Sequence, residues 1–124
     1  MSVRQNFSGT SPYEPIIGFS RAVRVGNHIA VSGTGPVGAD DASAAEQARQ
    51  CFSLITAVLE RAGASLEHIT RTRIYLTDVA DWQAVGSVHG EFFAGIRPAA
   101  TMLVVAALLD PRWKVEIEAE AILD

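Results

Sequence analysis

Apolar residues at Ala48, Cys51, Phe52, Ile55, Val58, Leu59 and Ala62 recur at i, i+3, i+4 spacing, the stripe that one buried helix face requires. The spacing predicts a helix over Ser43–Ala62. Ser43 and Glu46 suit a capping box at its start, and Gly63 suits its stop. Strict alternation takes over at the other end of the chain. Trp113, Val115, Ile117, Ala119 and Ala121 alternate with Lys114, Glu116, Glu118 and Glu120, which predicts a strand over Trp113–Leu123 with one face buried. ITRTRIYL, residues 69–76, alternates in the same way and is rich in β-branched residues. SRAVRV (20–25) and HIAVS (28–32) flank Gly26-Asn27, a two-residue hairpin turn. Asp78 or Asp81 starts a second helix that runs to about Phe93, with Trp82, Val85, His89, Phe92 and Phe93 on its face and Gly95 at its end. Thr101–Leu109 reads as an apolar strand before the Asp110-Pro111 turn. Gly33–Asp41 reads as loop, and Val3–Phe7 adds one short strand.

The order is three strands, a helix, a strand, a helix and two strands. Two helices on one face of a mixed six-stranded sheet make a two-layer α/β sandwich. Met102, Val104, Val105 and Leu108 then leave apolar groups on the uncovered face, which a second copy of a chain commonly covers.

The 124 residues suit a single domain, 1–124. With 48% hydrophobic and 19% charged residues, the chain is not a disordered one. A net charge of −4 argues against nucleic acid as a partner. Cys51 is the single cysteine, so no internal disulfide forms and a reducing, cytoplasmic location is expected. The N-terminal stretch lacks the apolar core of a signal peptide, and no apolar run is long enough for a membrane span.

Three constellations carry chemistry. Glu116, Glu118 and Glu120 share one face of the last strand. Arg71, Arg73 and Tyr75 share one face of ITRTRIYL; if the two strands are neighbours, Arg73 meets Glu116 or Glu118. The third is SPYEPIIGFSRAV, residues 11–23, an arm whose aromatics and Glu14 lie near Arg21. His28, His68 and His89 have no metal-ligand spacing. His89 suits the core edge with a satisfied hydrogen bond, and Cys51 suits a buried hydrophobe. No phosphate-loop or GxSxG pattern occurs.

In order and spacing, the chain resembles the Rid (reactive intermediate deaminase, YjgF-like) family along nearly its whole length. The resemblance is carried by Gly26-Asn27 with Ser32-Gly33, Glu46-Gln47-Ala48-Arg49, Gly63-Ala64-Ser65-Leu66, Tyr75-Leu76-Thr77-Asp78, Phe92-Phe93, Arg97-Pro98-Ala99 and the closing VEIEAEAI. It implies a chorismate-mutase-like fold, a homotrimer with clefts between adjacent subunits, and hydrolysis of reactive enamines and imines to 2-oxo acids and ammonia. Some relatives are called endoribonucleases, a label the acidic charge does not support. Carried over residue by residue, the family's cleft serine is Ser32 and its cleft glutamate is Glu116, the expected catalytic group. The cleft aromatic is Phe19, the asparagine position is Gly86 and the thiol position is Met102. The arginine that grips the substrate carboxylate falls on Ala100, which cannot make that bidentate pair. The sequence therefore reads as a divergent branch, with Arg73 and Arg97 as candidates for the missing contact.

The leading expectation is a trimer whose clefts bind a small metabolite and hydrolyse or deaminate an imine- or amide-like compound other than the usual substrate. The alternative is a non-catalytic ligand-sensing or interaction module of the same fold. Neither calls for a metal or cofactor, and the expected partners are a small ligand and further copies of the chain.

Overall fold

Ser43 caps the first helix by accepting a hydrogen bond from the Glu46 N–H at 3.2 Å. The box stays half-closed, because the Glu46 carboxylate pairs with Arg49 instead. In this computed structural model, which describes residues 3–124, helix α1 spans Ala44–Arg61. It ends in a Schellman motif: Ala64 N–H donates to Leu59 O and Gly63 N–H to Glu60 O, with Gly63 at φ 88, a conformation that favours glycine. Arg24 Nη1 donates to the orphaned Ala62 carbonyl at 2.6 Å.

The strands are β1 (Arg4–Phe7), β2 (Ala22–Val25), β3 (His28–Thr34), β4 (Ile69–Leu76), β5 (Ala99–Val104) and β6 (Val115–Ile122), and helix α2 is Trp82–Phe93. They form one six-stranded sheet in the order β1-β2-β3-β6-β4-β5. Only β4 and β5 run parallel, and α2 supplies the crossover that a parallel pair needs. The predicted α/β class, six-stranded mixed sheet and two principal helices are all present. No helix of the described residues is long and apolar enough to cross a membrane.

The core lies between the helices and one sheet face. Phe52, Ile55 and Leu59 of α1 and Val85, Val88 and Phe93 of α2 are buried in one cluster with Ile74, Leu76, Val115 and Ile117. Phe52 and Phe93 meet edge to face at 5.4 Å. His89 sits at the rim of this cluster. Its Nε2 lies 2.9 Å from the hydroxyl of fully buried Thr72, and burial pulls its pKa down.

Several boundaries and faces differ from the sequence expectations. Strand β3 continues through Thr34, so the loop begins at Gly35 rather than Gly33. Strand β5 runs Ala99–Val104, not Thr101–Leu109. Pairing with β4 stops at Val104, and Leu109 is 97% exposed. Trp82 is 53% exposed, and Val88 takes a buried place instead, because Trp82 opens α2 beyond the rim of the core. Met102 turns toward the core side, since in register it lies beside buried Ile74. Leu103 and Val104 remain as the exposed apolar pair of that edge.

One buried side chain ties the loops together. Gln47 of α1 is completely buried. Its Nε2 donates to Asp40 O at 2.9 Å and Arg112 O at 3.1 Å, and its Oε1 accepts from Lys114 N–H at 2.7 Å. Trp113 Nε1 also donates to Asp40 Oδ1, and its ring packs on Gly35. The loop after β3 and the loop before β6 are thereby fixed beside the first residues of β6.

Candidate functional site

The sheet face opposite the core is a ladder of charge. In the β4–β6 register Tyr75 lies opposite Glu116, and Arg73 opposite Glu118. The bonds run one rung off that register: the Tyr75 hydroxyl donates to Glu118, and Arg73 Nη1 donates to Glu120 at 3.2 Å. Arg73 also approaches Glu118 at 3.8 Å. Bonding to Glu118 pushes the Tyr75 pKa up. Glu118 and Glu120 are thus occupied, while no described side chain hydrogen-bonds the Glu116 carboxylate.

Glu116 lies beside an irregularity in β3. Pairing of β3 with β6 shifts register between Val31 and Thr34, the sign of a β-bulge. Val31 and Thr34 are both buried although three residues apart, and half-buried Ser32 and Gly33 lie between them. A Cβ on Gly33 would stand 2.5 Å from Glu116 Oε2, so only glycine lets the carboxylate sit there. The Ser32 hydroxyl donates to Ser20 O at 2.6 Å, joining the bulge to the segment ahead of β2. Arg21 of that segment donates through Nη2 to the Gly33 carbonyl. Burial raises the Glu116 pKa, the Arg21 charge opposes the rise and the Glu118 charge adds to it. A half-buried, incompletely neutralised carboxylate against the bulge is a group able to accept or donate a proton.

A groove of about 340 Å³ opens alongside, lined among others by Asn6, Phe19, Ser20, Ser32 and Glu118. Phe19 ends the π-helical turn Glu14–Gly18, which carries exposed Ile16 and Ile17. Glu14 is buried, and both its oxygens accept from Gly9 N–H at 3.0 Å.

A family model described as endoribonuclease L-PSP matches residues 9–123. The chain belongs to this family, known also as YjgF or Rid. A YjgF/YER057c/UK114 family structure from Mycobacterium tuberculosis superposes with a TM-score of 0.92 at 42% identity, covering 98% of this chain and 100% of that one. An uncharacterised protein of Streptomyces coelicolor is 36% identical over 124 residues, covering 97% of this chain and 92% of that one. A 2-iminobutanoate/2-iminopropanoate deaminase of Dermatophagoides farinae is 29% identical over 136 residues, with both chains covered completely.

The positions matched to the Rid pattern fall into two groups. Phe19 and Ser32 line the groove together with Glu118, and Glu116 lies against Gly33 at the start of β6 rather than among the groove residues. Arg97, Ala100 and Met102 lie at the far edge, on β5 and the turn before it. Strands β6 and β4 separate β3 from β5, a span of about 14 Å at ordinary strand spacing. Ala100 is exposed and pairs with Thr72 in register. Arg97 is exposed and adopts a left-handed φ of 58, unusual for a side chain of its size. Arg73 stands between the groups, engaged by Glu118 and Glu120. Gly86 of α2 lies near Met102 Cε, 3.9 Å from where a Cβ would stand.

Cys51 is fully buried, and burial, aided by the Glu116 charge, pushes its thiol up to about 12, which keeps it protonated and unreactive at neutral pH. Sequence reasoning gave Arg21 no site role. Its signal was its place in the 11–23 arm, but its reach to Gly33 depends on a bulge that no periodicity marks.

Proposed function

We propose that this Rid-family chain is a small-molecule hydrolase or deaminase that cleaves a C–N bond in clefts shared between subunits of a homotrimer. The observation that carries the reading is Glu116: a half-buried carboxylate seated on Gly33 of the β3 bulge, with its pKa raised by burial. In the proposed reaction Glu116 accepts a proton from water as the water oxygen bonds to the carbon of a C=N group. The protonated Glu116 returns that proton to the nitrogen, giving a carbinolamine; the hydroxyl proton then passes to the nitrogen as the C–N bond breaks, and a carbonyl compound and ammonia leave. The deaminase name carried by a relative that aligns over its full length supports this class of substrate.

The two separated groups of matched residues support the shared cleft. Within one chain β4 stands between Glu116 on β6 and the β5 group, and β6 and β4 stand between Ser32 and that group; contact between copies would bring them together. The exposed apolar edge supplies a surface for it: Val79, Trp82, Leu103 and Val104 border a depression of about 300 Å³. Ala100 offers no cation for a substrate carboxylate, which favours a ligand held by other contacts.

Turnover of a panel of freshly generated imines and small amides, followed by release of ammonia and carbonyl product, tests the reading. Product from at least one compound is expected. Thermal stabilisation by a panel member with no product would instead identify a binding module.

A further inference from the structure

We propose that Arg21 is the positioning residue for Glu116: its guanidinium, seated on the carbonyl of the glycine against which that carboxylate rests, supplies the nearby cation that favours the proton-accepting form. The inference rests on the reading of Glu116 as the working group.

The backbone places Arg21 for this task. Its N–H donates to Phe7 O at 2.8 Å, and its carbonyl accepts from Ser32 N–H at 3.0 Å, so it is held by β1 on one side and the bulge on the other. Its side chain then turns to the Gly33 carbonyl. The Glu116 carboxylate packs against the Cα of the same glycine. One residue of the bulge therefore touches both the cation and the anion.

The donors of Arg21 are not all spent. Its Nε is buried and has no hydrogen-bond partner among the described residues, whereas a guanidinium fixed only for structure is usually saturated. On its other side stands buried Glu14, and both groups crowd Gly9, whose Cβ would lie 2.9 Å from Glu14 Oε2 and 3.2 Å from Arg21 Cδ. Arg21 thus lies between two carboxylates. Glu14 is tethered to Gly9 N–H, and Glu116 is left for chemistry.

The charges around Glu116 single out Arg21. Glu118 neighbours it on the same strand and Tyr75 lies opposite it on β4, while the Cys51 thiol of α1 lies in the core on the other side of the sheet. None of these is cationic, and Arg73 is spent on Glu118 and Glu120. Burial raises the pKa of a carboxylate in this place, and Arg21 is the cation that opposes the rise.

The test is an NMR titration of the full chain labelled with ¹³C at the glutamate carboxyl, with the Glu116 signal assigned by its loss in Glu116→Gln. In Arg21→Gln the Glu116 midpoint should move upward by about one pH unit, as loss of a nearby cation requires, and Arg21→Lys should bring most of it back. An unmoved midpoint in a folded Arg21→Gln overturns the proposal. If that variant does not fold, the wild type decides: a Glu116 midpoint below about pH 6 supports the proposal, and a higher one overturns it. No substrate is needed, so absent turnover would sink the proposed hydrolase and leave this inference standing. Turnover with an unmoved midpoint would do the reverse.

Discussion

Tyr75 lies directly opposite Glu116 in the β4–β6 register, yet its hydroxyl donates to Glu118. The side chains of the ladder lean one rung along the strand, as Arg73 shows again by reaching Glu120. This stagger consumes two of the three glutamates of β6 and leaves the carboxylate nearest the bulge without a partner across the sheet.

Glu116→Gln should abolish whatever turnover the substrate panel reveals while leaving the fold intact. The sign of its effect on stability follows from the raised pKa. A carboxyl whose folded pKa lies above its unfolded value contributes stability below about pH 4.3 and loses it as pH rises through the folded value. The variant should therefore unfold at the same temperature as wild type or slightly higher at pH 7. A large drop in melting temperature would mark Glu116 as a structural ion-pair partner.

The exposed apolar edge predicts assembly. Light scattering at micromolar concentration should give three times the 13.2 kDa chain mass. Replacing Leu103 or Val104 with Asp would bury a charge in any interface over that edge and should shift the mass toward one chain. A wild-type mass of one chain would remove the basis for a shared cleft.

Gln47→Ala leaves the Asp40 and Arg112 carbonyls and the Lys114 N–H without their partner. Buried groups left unsatisfied cost about 1–3 kcal/mol apiece, with water recovering part, so a loss of about 3 kcal/mol in urea denaturation is expected. Amide exchange at Lys114 should quicken more than exchange in the middle of α1.

His89 makes stability depend on pH in the opposite sense to Glu116. Burial lowers its pKa, so its contribution is fully present above about pH 6.5 and is lost as pH falls through the folded value. Urea midpoints measured from pH 8 down to 5 should fall for wild type. The fall should shrink in His89→Asn, which keeps a polar group near Thr72 but cannot take up a proton. Equal slopes in the two proteins would show that His89 does not contribute.

What the sequence determined was what repeats locally. The i, i+3, i+4 stripe of α1 and the alternation of β4 and β6 each tell which side of an element avoids water, and burial follows that pattern in Phe52, Ile55, Ile74 and Ile117. The turn at Gly26-Asn27 and the stop at Gly63 were equally readable, because glycine's backbone freedom acts within a few residues. That Arg73 would meet Glu116 or Glu118 could be foreseen once β4 and β6 were taken as neighbours, and of the two it approaches Glu118. The tertiary structure alone decided that Arg73 also reaches Glu120, that β3 bulges at Ser32-Gly33, and that Arg21 and Glu116 meet on one glycine. These depend on register between strands far apart in the chain and on the lean of side chains across it. A one-residue slip in a ladder leaves every local periodicity unchanged while redirecting each side chain to a different partner.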